Sequence, residues 1–420
     1  MARRSVTRTS DPLFPDHPVS EHRWRVERAR KLMREDRLDA LVLSRNVNVF
    51  YMTGSRFVFV GMDAAVALAP QTTAIVTQDA DVYCQRFGPF DSDEVALHTT
   101  TSESLELYDD ELELVRILSD YAIGKGARVG IEWGPGLCTG INPLKFVTLQ
   151  ERLSKELGAE FVDATTTILK MTGVKSELEI ERMRVAVAAS ARAMERVYDL
   201  IELGMNELEL AQLSKQFMLE EGGESVSHAQ VMAEGDGGTS LLSSDAVDRE
   251  IGKGWVHLDL GCKYRRYGSD INRGVFLGRE PTEDEEKLFG VRLGINELMD
   301  KTIKPGVSID ELLTKMTEYL LENGCVMKEI GGVPFAGHGI GLEPYQHPSL
   351  VPSAAQPQFC NEEGEVVFEP GMMFTYEMAL DLLGGESRMP FFNIEDDVVV
   401  TETGVENMNA TLGRELRVKL

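Results

Sequence analysis

Four carboxylates stand inside runs that otherwise read as apolar strands: Asp259 in "WVHLDLG", Asp270 in "YGSDINRGV", Glu377 in "FTYEMAL" and Glu395 in "FFNIEDDVVV". An ionised carboxylate at a core-facing strand position is costly unless a cation or a dense set of donors compensates it. For any one of them, an edge-strand charge facing solvent is the ordinary reading. Four together, with His338 in the glycine-rich "FAGHGIGLEP", require a fold that gathers them. Four negative charges and one imidazole match a pair of divalent ions, with oxygen-rich shells that suit Mn, Fe or Co and the capacity to acidify a bridging water. Asp259 and Asp270 lie eleven positions apart around "GCKYRR". A β-hairpin there brings both to one end of adjacent strands.

At 420 residues the chain exceeds one ordinary core, so two domains are expected. Hydrophobic residues at 43% and charged residues at 27% are the profile of a globular protein. The opening "MARRSVTRTSDPLFPDHP" is basic and lacks an apolar run, so residues 1–20 read as a loose arm, with neither a signal segment nor a membrane span. The first third then alternates. An amphipathic helix in "EHRWRVERARKLMREDRLD" feeds the strand "ALVLS", followed by "NVNVFYMTG" turning at Gly54. Strands in "AAVALAP" and "TTAIVTQ", a helix in "ELELVRILSDYAIG", a strand in "ARVGIEW" and a helix in "KFVTLQERLSKELG" complete a mixed α/β layer.

A boundary is expected near 165–175, giving an N-terminal α/β domain over 1–170 and a second domain over 171–420. The second opens on "VAVAASARAMERVYDLIELG", with Gly204 as its C-cap. Three more helices are expected in "NELELAQLSKQFMLEEGG", "EDEEKLFGVRLGINELMDKTI" and "SIDELLTKMTEYLLENG", the last with a Ser308/Glu311 capping box. Antiparallel-looking strands in "GWVHLDLG", "YGSDINRGVFLG", "GMMFTYEMAL" and "FFNIEDDVVVT" make this an α+β fold.

A formal charge of -26 argues against nucleic acid, since phosphate binding needs a basic face. A solvated acidic surface is its ordinary meaning, and attraction of a cationic substrate a weaker one. Five cysteines without a CxxC pair indicate neither a disulfide framework nor a cysteine zinc site, and fit a reducing cytoplasm. The expected partner is a small-molecule or dipeptide substrate, with no nucleic acid and no membrane.

With "HLDLGCKYRRYGSDINRGV", "GHGIGLEP", "FEPGMMFTYEMAL" and "IEDDVVVTETG" in this order, the chain resembles the pita-bread metallopeptidases of family M24. Their relatives include methionine aminopeptidase, aminopeptidase P, prolidase and creatinase. The resemblance covers most of the chain, and "NVNVFYMTG" is similar to a segment of the first domain in the larger members. It implies a pita-bread second domain behind a smaller α/β one. It also implies two divalent ions (Mn, Co, Fe or Zn) held by Asp259, Asp270, His338, Glu377 and Glu395, with Asp270 and Glu395 bridging. A cytoplasmic homodimer is implied as well.

Two positions depart from the family's peptidases. They carry a histidine about a dozen residues before the glycine that precedes the first Asp-bearing strand, where "GDGGTSLLSSDAVDREIGKG" has Leu242 or Ser243. Seven residues after the metal-binding histidine, the proline-handling members have a second histidine, and Tyr345 stands there. Positioned acid–base groups typically contribute about 10² to 10⁴-fold, so these changes matter. Glu377 is the candidate base. Tyr345 and His347 are candidates to steady an anionic intermediate, and His228 in "SVSHAQVMAEG" is a further candidate that can fold toward the cleft. His228 and His347 read somewhat better as satisfied loop or core histidines, and His257, on the strand face of Asp259, either supports a ligand or simply packs.

The expected function is a dinuclear-metal hydrolase of a small substrate's amide or other C–N bond, with Xaa-Pro dipeptides as the default. Specialised relatives give the alternatives: a dimethylsulfoniopropionate-type lyase, or an ectoine- or creatine-type hydrolase. Creatinase-like members have lost metal ligands that this chain keeps, and the lyase has an Asp two residues after the first ligand, where "DLG" places Gly261. A non-catalytic binding protein is the remaining alternative.

Overall fold

The computed structural model describes residues 4–8, 10–55, 72–86, 99–108, 110–134, 137–234, 246–383 and 393–420. They divide into two compact units, Met1–Thr172 and Gly173–Leu420. Among the described residues, no helix is long and apolar enough to cross a membrane. The strand expected in "AAVALAP", and Leu242 and Ser243, lie outside the described residues.

The first unit comprises β1 (Arg4–Thr7), α1 (Val19–Glu35), β2 (Ala40–Leu43), α2 (Asn46–Thr53), β3 (Thr72–Thr77), β4 (Asp81–Arg86), β5 (Ser104–Tyr108), α3 (Leu114–Asp120), β6 (Arg128–Ile131), α4 (Pro143–Arg152), β7 (Glu160–Asp163) and α5 (Thr165–Gly173). Its seven-stranded sheet runs β1-β5-β4-β3-β2-β6-β7, with parallel and antiparallel pairs. Every residue of β2 and β3 is buried. That explains why these strands read as continuous apolar or threonine-rich runs and not as alternating ones. Within residues 1–20, the described residues 4–8 are not a loose arm: β1 pairs with β5 as the sheet's edge, and the Arg8 guanidinium donates to the Thr100 and Thr101 carbonyls at 3.1 and 2.7 Å. α2 ends on Gly54, whose φ of 67° is the left-handed cap that a glycine supplies most cheaply.

The second unit comprises α6 (Glu177–Leu200), α7 (Glu207–Glu220), β8 (Ser225–Ala233), β9 (Gly254–Tyr264), β10 (Ile271–Leu277), α8 (Glu283–Thr302), α9 (Ile309–Glu322), β11 (His338–Gly339), β12 (Met373–Thr375), β13 (Asp397–Val400), β14 (Val405–Asn407) and β15 (Arg417–Lys419). α6 starts on a Ser176/Glu179 capping box and α8 on a Thr282/Glu285 box. Gly204 is not the cap of α6, because Ile201 ends that helix in an extended conformation and Gly204, at φ 84°, belongs to the next turn. Ser308 caps α9 by accepting from the Glu311 N–H, while the Glu311 carboxylate accepts from Lys315.

The two larger sheets among the described residues of this unit run β8-β9-β10-β15 and β11-β12-β13-β14. α6 lays Ala186, Ala189, Ala193 and Val197 against Val256, Leu258 and Leu260 of β9, an approach that the small alanines allow. α8 and α9 cover the second sheet with Ile295, Met299, Leu312 and Met316 against Phe374 and Val398. Fully burying one such large side chain contributes roughly 1.5–3 kcal/mol. Among the described residues, an isolated bridge between Asn272 and Glu395 links these two sheets, and the carboxylates collect there.

Candidate metal centre

Of the four carboxylates, only Asp259 lies within a strand; Asp270 precedes β10, Glu377 follows β12 and Glu395 precedes β13. The runs that read as continuous strands are broken where a carboxylate turns inward. β9 and β10 form the expected hairpin, with Asp259 opposite Asn272 and Leu260 opposite Ile271. His338 is reached through Gly337, whose φ of 146° suits glycine alone and where a Cβ would run into the Thr375 carbonyl. β11 then pairs His338 with Thr375, two residues before Glu377.

The side chains converge. His338 Nδ1 bonds the Gly339 carbonyl at 2.9 Å, which leaves Nε2 facing Glu377 Oε2 at 3.5 Å and Asp270 Oδ2 at 3.8 Å. That nitrogen is buried without a hydrogen-bond partner, and so is Glu395 Oε1. Ligand atoms of Asp270, His338 and Glu395 lie within 4.8 Å of one another, and so do those of His228, Asp259 and Asp270. Orphaned buried polar atoms facing packed carboxylates are what a bound cation would satisfy. The donor set, four carboxylates with imidazole, fits divalent metal.

The electrostatics agree with that fit. Burial and the charges of Asp270 and Asp259 hold Glu377 up to about 8. Burial, then Asp270 and Glu377, raises Glu395 well above the ordinary carboxylate range, while Asp270 is lowered because His228 and His338 outweigh its own burial. Burial lowers His338, which keeps its imidazole neutral and its nitrogen lone pair available.

The candidate histidines are placed differently. His228 sits in the cluster, with Nε2 2.9 Å from Asp259 Oδ1 and 3.1 Å from Asp270 Oδ1. The Tyr345 ring lies over His338 at a centroid distance of 3.9 Å and is 64% exposed, at the mouth of the site. His347 stacks on Phe359 at 5.2 Å and is not among the grouped ligand atoms. His257 is buried and hydrogen-bonds the Asn272 amide.

Several residues that position the centre escaped the sequence reading. Asp397 accepts the Asp270 N–H at 2.9 Å, and the Asn393 amide donates to Glu395 Oε2 at 3.4 Å. Arg292, fully buried on α8, donates to the carbonyls of Tyr376 and Ile394, so one guanidinium fixes the residues just before Glu377 and Glu395. Its signal was available: a lone arginine on an apolar helix face needs buried acceptors.

The family model for metallopeptidase family M24 matches residues 181–402, and that for the creatinase/prolidase N-terminal domain matches residues 25–171. An Xaa-Pro dipeptidase of Pyrococcus furiosus is 24% identical over 92% of this chain and 98% of its own length. An uncharacterized peptidase of Bacillus subtilis is 25% identical over 90% and 96%. Among solved structures, an Xaa-Pro dipeptidase from Bacillus anthracis superposes with a TM-score of 0.72 at 23% identity, covering 94% of this chain and 99% of that one. The X-Pro aminopeptidase of Thermotoga maritima gives 0.69 at 23%, again over 94% and 99%. These likenesses establish a shared fold over both units, the pita-bread arrangement with its creatinase-type first domain.

Proposed function

The chain belongs to metallopeptidase family M24, and from that premise we propose that it hydrolyses the amide bond of an Xaa-Pro-type dipeptide at a centre of two divalent ions. The observation that carries this reading is the buried carboxylate cluster in which His338 Nε2 and Glu395 Oε1 have no hydrogen-bond partner among the described residues. Asp259, Asp270, His338, Glu377 and Glu395 would hold the ions, with Asp270 shared between the two groups of ligand atoms. Bound divalent ions supply Lewis acidity and a nucleophile from water at neutral pH.

The chain's own side chains do the rest. Glu377 lies outside the two groups of ligand atoms but 3.5 Å from His338 Nε2, and its side chain is more open, 26% exposed against 16% for Asp259 and 10% for Asp270. In this reading Glu377 takes the proton from attacking water and returns it to the leaving amine. Tyr345, raised above the ordinary phenol range by burial and the neighbouring carboxylates, keeps its proton and donates to the developing oxyanion. His338, neutral and fixed through Nδ1, keeps its orientation through the cycle. The relatives named as Xaa-Pro dipeptidases support the choice of substrate.

The test is turnover of an Xaa-Pro dipeptide panel by metal-stripped protein reloaded with Mn²⁺ or Co²⁺. Release of free proline only from the loaded form is expected. Equal activity with and without metal, or no turnover by protein that has bound two ions, would overturn the reading.

A further inference from the structure

β8 and β9 do not pair in regular register. Val226 faces Cys262, but His228 faces Gly261, so Ser227 is an extra residue in β8. An extra residue of this kind turns the following side chains to the other face of the sheet. Without it, His228 would face Leu260, which is fully buried in the apolar cluster beneath α6. With it, His228 shares the face of Asp259. Gly261, its partner across the ladder, leaves the space it needs: a Cβ there would collide with the imidazole and with the Ser269 carbonyl. The bulge and the facing glycine thus bring Nε2 to 2.9 Å from Asp259 and 3.1 Å from Asp270.

We propose that His228 is a sixth protein ligand, binding a divalent transition-metal ion together with Asp259 and Asp270. The inference rests on the metal centre proposed above. It gives each of the two groups one imidazole, His228 in one and His338 in the other, around the shared Asp270. An imidazole in place of another oxygen favours Co²⁺, Zn²⁺ or Fe²⁺ over Mg²⁺ and Ca²⁺ at that position. The competing role is a protonated His228 that pairs with the two carboxylates and excludes the ion. The two roles differ in sign: loss of a ligand weakens metal binding, whereas loss of a competing cation strengthens it.

The experiment uses the full chain, stripped with chelator and titrated with Co²⁺, following bound metal per chain and the visible Co²⁺ bands. Wild type is compared with H228A, H228Q and H338A, with far-UV circular dichroism as the folding control. H228A and H228Q are expected to weaken one ion by at least about 10-fold and to shift its bands, with free imidazole restoring H228A. H338A should affect the other ion. Unchanged or tighter binding with unaltered bands in both His228 variants would overturn the proposal. Wild type that binds no Co²⁺ would overturn the metal centre itself, and His228 as a ligand with it.

Discussion

Glu132 in the first unit and Glu395 in the second are both buried carboxylates beside a sheet, and their surroundings differ in kind. Glu132 accepts from Ser44 N at 2.9 Å, Ser44 Oγ at 2.6 Å, Arg45 N at 3.1 Å and Asn48 Nδ2 at 2.8 Å. It ties β6 to the start of α2. Glu395 has one amide at 3.4 Å and an oxygen with no hydrogen-bond partner, and the charges that act on it most strongly are those of other acids. Its neighbour Asp396, fully buried on the opposite face, is met by Arg273 at 2.6 Å and Asn409 at 2.8 Å. A carboxylate supplied with donors is a fold element; one left without them is half of a binding site.

Replacement of Glu395 should separate the two kinds most sharply. E395Q is expected to lose more than about 100-fold in activity, since even residues that only orient metal ligands cost 10–100-fold. Yet the metal-free variant should melt at or above the wild-type temperature, because the amide replaces an acid that burial and neighbouring acids force to take up a proton on folding. A metal-free E395Q that unfolds more easily than metal-free wild type would place Glu395 with Glu132 as a structural acid.

Metal itself is the next lever. An ion at 100 times its dissociation constant stabilises the folded state by about 2.7 kcal/mol if it binds only that state. Hydrogen exchange should show this protection in β9, β10 and β13, and leave β2 and β6 unchanged. Equal protection of both units on adding Mn²⁺ would break the distinction between them.

E132Q should act in the opposite sense to E395Q. The amide it introduces points N–H groups at existing donors, which costs roughly 2 kcal/mol of stability. Metal affinity should stay at the wild-type value. Urea unfolding followed by exchange in β6 and α2 measures the first, and Co²⁺ titration the second.

The sequence made the second kind of acid easier to find than the first. Carboxylates inside apolar runs announced Asp259, Asp270, Glu377 and Glu395, because an unpaired charge in such a run has few other meanings. Glu132 lies in "ARVGIEW" in the same manner, but its donors come from Ser44 and Asn48, more than eighty positions away. The α+β class and the capped helices were legible because local periodicity and capping residues set them. The ordering of residues 4–8 was not, since β1 exists only through pairing with β5. His228 was visible only as a candidate, because its aim depends on a one-residue slip of register that no local pattern encodes.

Acidity gives the finest test of the contrast. Glu377, held up to about 8 against an ordinary 4.5, binds a proton more readily in the folded than in the unfolded chain. Glu395 is likewise raised well above its ordinary value, and His228 lies well above its ordinary 6.5 because Asp270 and Asp259 outweigh its burial. Groups whose folded values are raised lose stability as pH climbs through the window between the two values. The metal-free second unit should therefore become more stable as pH falls from 8 to 5, a span bounded by the Glu377 values of about 8 and 4.5. In the first unit Glu132 is raised by burial alone, while Asp81, bonded to His22 at 2.8 Å, is lowered from 3.8. The stability Asp81 contributes is present above 3.8 and is lost only as pH falls through its lowered value. That unit should change less between pH 8 and 5 and weaken in stronger acid. Hydrogen exchange of the metal-free protein, converted to opening free energies with intrinsic rates at each pH, reads the units separately. A parallel response in both would mean that the second unit's acids already have partners without metal.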